Sequence, residues 1–380
     1  MSKKMATRWL VALTLLGLTA CGGKLEREAA ETYARIAEAS YADSLAEAKR
    51  LQTAVDAFVA APDAAGLTAA QTAWKAAREP YGQTEVFRFY DGPIDDPENG
   101  PEGLINAWPL DEAYIDSVQG APGAGFINDP SVALTAEAVM ALNEKEGEEN
   151  IATGYHAIEF MLWGQDLSET SAGTRPHTDF VSAANADRRR QYLGILSALM
   201  VQHLEEVHAA WTDGGDNYRA QFVGAKGRAS LEKMLTGMIV LSGFELAGER
   251  LQTALDSGDQ EDEHSCFSDN THRDMVLNAK GVQNVWHGRY VRTDGTVIEG
   301  TGLKAVVADE DAALADALTA QIDRSVTLGE AIQAPFDREI ATGNAAGRAR
   351  VQAMIDSLRK QEELLFDVFK RFGLTVSIPE

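Results

Sequence analysis

The chain has 380 residues, 45% of them hydrophobic and 24% charged, with 34 basic against 58 acidic residues and a formal charge of -24. That length accommodates two domains with cores of their own, and the composition excludes a wholly disordered, collagen-like or multi-span membrane chain. So acidic a surface repels phosphate backbones and concentrates cations, which excludes nucleic acid as a partner. Two cysteines are too few for a disulfide-stapled scaffold or a thiolate metal module.

At the N-terminus Lys3, Lys4 and Arg8 precede an apolar stretch from Trp9 to Leu18, the layout of a secretory signal and too short for a bilayer span. Leu18-Thr19-Ala20-Cys21 reads as a bacterial lipobox, so residues 1–20 are expected to be cleaved and Cys21 to carry lipid. Residues 21–30 then form a tether. Gly22 after the cysteine favours the outer membrane, with the protein at its periplasmic face or surface. With Cys21 acylated, Cys266 has no disulfide partner and serves as a small apolar filler.

Apolar and small residues recur at spacings of three and four from Leu25 to Val59, which predicts a long amphipathic helix. A second helix carries Trp74 and Arg78 and is expected to kink or end at Pro80, before a loop from Asp91 to Pro101 rich in Gly, Pro and Asp. Further helices are predicted over Ser131–Asn143, Glu148–Trp163, Asp187–Thr212, Arg228–Asp256, Thr271–His287, Val307–Gln333 and Gly347–Phe372. Only Thr296-Val297-Ile298, between Asp294-Gly295 and Gly300, suits a short hairpin. The expected fold class is therefore all-α, with two packed helical-bundle domains at 31–167 and 187–380 joined through 168–186. Gly154-Tyr155-His156 and Gly243-Phe244-Glu245 form a faint echo consistent with a distant duplication.

The segment from Ile151 to Trp163 holds only two ionisable side chains, His156 and Glu159, with apolar groups on every helical face. Residues three apart in a helix point the same way, so imidazole and carboxylate meet in a buried setting where an unpaired charge costs several kcal/mol. Such a pair supplies two ligands to a metal ion, or satisfies itself. Glu245 and Glu249 follow an apolar run and repel each other unless Arg250 relieves them, although Glu249 and Arg250 also suit the solvated end of a helix. Arg78 is placed to neutralise a buried carboxylate such as Glu159. Asn106 to Asp111 reads as the start of a helix, and Ser268, Asp269 or Asn270 as a cap for the helix after it. Asp269, His272 and Asp274 also crowd oxygen and nitrogen ligands into six residues beside the acidic run Asp259 to Glu263.

His203 and Glu206 repeat the three-residue spacing, but Gln202 and Glu205 make theirs a solvated face. His203 and His208 are five apart, not the four of a zincin helix. No nucleophile elbow or phosphate-cradling loop is present.

The stretch Gly154-x-His156-x-x-Glu159, continued by Phe160-Met161-Leu162-Trp163-Gly164-Gln165-Asp166, resembles the imelysin family. Trp74-x-x-x-Arg78-x-x-Tyr81, Trp108-Pro109-Leu110-Asp111 and Phe267 to His272 follow in that family's order, so the resemblance spans about residues 30–370. It implies an all-helical two-bundle fold, a site near the His156–Glu159 helix, and placement in the periplasm or on the outer membrane. Members are described both as membrane peptidases and as iron-regulated proteins. A zinc hydrolase needs three protein ligands and an open position. An iron-capturing lipoprotein needs only a semi-buried cluster, which His156, Glu159, Glu85 and Asp269 or His272 would supply, with Arg78, Trp108, Asp111, Gly154 and Glu245 supporting it. The expectation is a metal ion, iron first and zinc as the alternative, bound free or within a small iron-containing molecule. Expected partners are envelope iron-uptake proteins, with the membrane reached through the lipid anchor alone. A metallopeptidase of the imelysin type and a non-catalytic partner- or polymer-binding lipoprotein are the competing readings.

Overall fold

A computed structural model describes residues 3–376, with side chains from residue 23 onward. The expected signal segment and the lipidated Cys21 lie outside the described side chains. The regular structure is almost all helix, as the periodicity requires.

Helix α1 (Lys3–Ala60) buries Tyr33, Ile36, Tyr41, Leu51, Val55 and Phe58 along one stripe. Helix α2 (Ala64–Tyr81) is capped by Asp63, whose side chain accepts the Gly66 N–H at 2.7 Å. Pro80 lies inside its last turn without ending it at once. The chain then tightens into a 3₁₀ turn over Gly82–Phe87 that carries Glu85. Helix α3 (Gly154–Trp163) is buried at every position, and α4 (Ala186–Trp211) packs on α1 and against α3.

The second group begins with α5 (Ala229–Val240), which widens without interruption into π geometry over Leu241–Gln252. Helix α6 (Thr271–His287) leads into a two-stranded antiparallel hairpin, β1 (Arg289–Val291) and β2 (Val297–Glu299), with Tyr290 opposite Ile298. Helices α7 (Leu303–Glu310), α8 (Ala312–Ala331) and α9 (Ala345–Phe372) complete the chain. Helix α9 packs on α8 and the π segment, while α6 bridges α8 and the 82–87 turn. One contiguous hydrophobic cluster runs from Ala29 to Phe372.

Several boundaries differ from those periodicity predicts. The helix expected from Glu148 begins at Gly154, because Gly154 takes φ +88 and turns the chain sharply. Of Ser131–Asn143 only Ala136–Met140 is helical. The helix expected over Val307–Gln333 is split at Asp311, whose extended backbone and side-chain bond to the Leu314 N–H restart it. The two glycines of the faint echo stand differently: Gly154 opens α3, whereas Gly243 lies within the π segment against the Glu362 side chain. Among the described residues no helix is long and apolar enough to cross a membrane.

Candidate metal centre

Where α3 begins, Gly154 does two things at once. Its positive φ is one that side-chain-bearing residues rarely adopt, and a Cβ there would stand 2.6 Å from the Ile105 carbonyl oxygen. Its absence lets α3 press against the Ile105–Trp108 segment and fixes where His156 and Glu159 emerge.

His156 Nδ1 lies 3.0 Å from Glu159 Oε2, and Glu159 Oε1 accepts both the Ser268 N–H at 2.9 Å and the Ser268 hydroxyl at 2.6 Å. Ser268 therefore does not cap α6, and among the described residues no side chain hydrogen-bonds to that cap. Burial pushes Glu159 up to about 8 against these donors, and burial together with Arg78 pushes His156 down to about 3.

A second carboxylate–imidazole pair adjoins the first. His264 Nδ1 is 2.9 Å from Asp274 Oδ2, which also accepts the Ser265 hydroxyl, while Arg78 donates to Asp274 Oδ1 from Nε at 3.2 Å and Nη2 at 3.0 Å. Burial opposes the charge on Asp274, but Arg78, His264 and Ser265 outweigh it and hold its carboxyl well below the usual range. Asp274 is thus ionised and His264 donates to it from Nδ1–H. Burial, with Arg250 nearby, takes the His264 ring down to about 3. Both imidazoles are neutral, and their rings meet edge to face with centroids 4.7 Å apart. Among the described residues neither Nε2 has a hydrogen-bond partner although both are buried. Orphaned buried donors and acceptors are uncommon, and a carboxylate at Nδ1 is the usual support of a metal-binding histidine.

The surrounding groups hold these pairs in place. Arg78 sits among the faces of Trp74, Tyr81 and Tyr155, and donates to Asn106 Oδ1 at 2.6 Å. Its acidic partner is Asp274, not the expected Glu159. Trp108 donates to the Glu263 carbonyl at 2.9 Å and lies edge-on to the His264 ring, whereas Asp111 only caps a short helix by accepting the Ala113 N–H.

The five residues expected to share one ion divide among three settings. His156 and Glu159 belong to the histidine cluster. Glu85 is bound by guanidinium groups, with Arg88 and Arg250 each 2.8 Å from Oε2, and they hold it at about 2 despite its burial. Asp269 lies with Asp166 and Asp337, the one group of three or more potential ligands within 4.8 Å of one another among the described residues. His272 is half-buried beside Asp269, its ring lowered by burial and by Arg273. Arg250, which also suited a solvated helix end, is buried. It reaches Glu245 Oε1 at 2.7 Å because π geometry aligns residues five apart, and Glu249 alone is exposed. His203 is likewise buried, not solvated, while Glu206 faces out. Cys266 is buried and free.

Sequence reasoning missed His264. Its signal was its place in a run, Glu263-His264-Ser265, that continues into the motif segment before α6.

Comparison with known proteins places these features in a class. The Imelysin (peptidase M75) family model matches residues 37–365, and the chain belongs to that family. It is 28% identical over 265 residues to iron-regulated protein A of Synechococcus elongatus, an alignment covering 67% of this chain and 62% of that protein. The match thus spans less than two thirds of the relative's length. In structure it is similar to a Parabacteroides distasonis protein described as an iron-regulated protein A precursor, with TM-score 0.68, 19% identity and coverage of 91% and 95% of the two chains. It is also similar to an imelysin-like protein from Psychrobacter arcticum, with TM-score 0.67, 13% identity and coverage of 93% and 98%.

Proposed function

We propose that this imelysin-family chain is a lipid-anchored, extracytoplasmic protein of iron acquisition, and that its cargo, an iron ion or small iron complex, is held through His156 and His264. The observation carrying the reading is the pair of neutral, buried imidazoles, His264 held at Nδ1 by the Asp274 carboxylate and His156 at Nδ1 beside the Glu159 carboxyl, each with an Nε2 lacking a partner among the described residues. Glu159 and Asp274 then orient the ligands and set their tautomers. Binding at His156 Nε2 favours the ionised Glu159 that Ser268 already solvates. The relationship to iron-regulated protein A supports iron as the cargo, and Leu18-Thr19-Ala20-Cys21 supports the anchor.

Two imidazoles fill two of the four to six positions of an iron ion, leaving the rest for water or a chelate. The peptidase reading asks for more: a cleft admitting a polypeptide to His156 and Glu159, which are 1% and 0% exposed.

The test is metal content and iron titration of the chelator-treated full chain, beside His156→Ala, His264→Ala and Glu159→Gln. Both histidine variants should lose binding, and Glu159→Gln should weaken it by about 10–100-fold. Equal binding by wild type and both histidine variants would remove the site. Metal-dependent cleavage of a peptide library, abolished in Glu159→Gln, would favour the peptidase instead.

A further inference from the structure

A separate group of carboxylates lies near the histidine cluster, where Asp166 beyond α3, Asp269 ahead of α6 and Asp337 in the short helix Phe336–Ile340 converge. Asp166 Oδ1 accepts the Ser168 N–H at 2.9 Å. Among the described residues Asp166 Oδ2, Asp269 Oδ1 and both oxygens of Asp337 have no hydrogen-bond partner. Glu263 adds an independent sign. It is 0% exposed, neither oxygen has a partner among the described residues, and its carboxyl faces that of Asp337, itself 4% exposed. The Thr271 hydroxyl lies beside Glu263 while accepting the Ser265 N–H.

Three carboxylates in mutual reach, with a fourth pressed against Asp337, repel, and buried ones lack water to screen them. Lys75 is the cation that acts on Asp269, and it also lies over the Trp163 ring. On the solvent side a cleft of about 890 Å³ reaches Asp166 and Asp337 and is walled by Asp259, Glu261 and Glu169, which add negative charge. The arrangement is stable with its carboxylates protonated or with a cation among them.

Geometry favours the cation. The ligand atoms of Asp166, Asp269 and Asp337 all lie within 4.8 Å of one another, close enough for three oxygens to meet on one ion. Calcium accepts several protein carboxylates at once, whereas magnesium usually keeps its waters and takes only one or two. An all-oxygen set without sulfur or imidazole selects a hard ion.

We propose that Asp166, Asp269 and Asp337, backed by Glu263 beside Asp337, form a cation site, distinct from the histidine centre, that takes an oxygen-preferring divalent ion such as calcium. Glu263 and Asp269 bracket His264, Ser265 and Ser268, so the ion ties the loop closing over the two imidazoles to α3 on one side and to the segment leading into α9 on the other. The site does not depend on the iron reading.

The experiment is calorimetric titration of the chelator-treated full chain with calcium chloride, with magnesium chloride as comparison, and thermal unfolding with and without calcium. One calcium per chain, a rise in melting temperature and a preference over magnesium are expected. Asp337→Asn and Asp166→Asn should each weaken calcium binding by about tenfold or more, while His156→Ala leaves it intact. If Asp337→Asn does not fold, Glu263→Gln serves in its place. The proposal is overturned if the wild type shows no calcium heat and no thermal shift, or if the carboxamide variants bind calcium as the wild type does. Stability that rises on acidification and ignores calcium would mean that protons satisfy the cluster, and would overturn it too.

Discussion

His156 and His264 come from distant parts of the chain, yet their rings meet edge to face at 4.7 Å, each held through Nδ1 by its own carboxyl group. Neither pair is isolated. Asp274, which holds His264, is also the partner of Arg78 on α2, so the second imidazole is positioned by an ion pair between two helices.

That dependence makes Arg78 the first residue to test. Arg78→Met keeps the bulk of the side chain but leaves Asp274 buried with only His264 and Ser265 as partners. Removing one partner of a buried pair costs about 3–5 kcal/mol, and chemical denaturation should show a loss of that order. A change below about 1 kcal/mol would mean that the pair does not carry the contact between α2 and α6.

The π segment offers a contrast within one ion pair. Arg250 is 2% exposed and binds both Glu85 and Glu245, whereas the Glu245 side chain is 18% exposed. Arg250→Met should therefore destabilise by about 3–5 kcal/mol. Glu245→Gln should cost about 1 kcal/mol or less. Equal losses in urea unfolding would contradict the burial difference.

Gly154→Ala should act on the backbone. Its φ of +88 and a Cβ 2.6 Å from the Ile105 carbonyl make the variant strained at both levels. A loss of at least about 1–3 kcal/mol is expected, with α3 displaced from Ile105. Thermal melting reports the first effect, and reduced iron binding by a still-folded variant would report the second.

Glu85 sets a pH dependence. Burial alone would raise its carboxyl, but Arg88 and Arg250 bring it down to about 2, below the ordinary glutamate value. The unfolded chain then binds more protons than the folded one as pH falls below about 4.5, so stability rises with pH through this range. The contribution, about 3 kcal/mol, is fully present above that value and is lost as pH falls toward 2. Arg250→Met should lift the acid-unfolding midpoint, as followed by circular dichroism.

Much of the fold was legible because burial repeats with the helical period. The stripe of Tyr33, Ile36, Tyr41, Leu51, Val55 and Phe58 is a property of α1's own sequence, and so is the hairpin around Asp294-Gly295. The pairing of His156 with Glu159 was also local, since three residues of helix bring them together. The widening of a helix to π geometry was not, because an apolar run reads the same at 3.6 residues per turn or more, and so the reach of Arg250 to Glu245 stayed hidden.

The sequence by itself determined a helical chain with an imidazole and an acid that had to be buried together, because apolar neighbours leave them no other place. Only the tertiary structure decided their company. It paired Arg78 with Asp274, gave Glu85 to two arginines, moved Asp269 among other carboxylates, and brought His264 to His156. The physical reason is that a buried charge takes whichever partner packing delivers, and contacts between distant segments leave no spacing in the sequence from which they can be read.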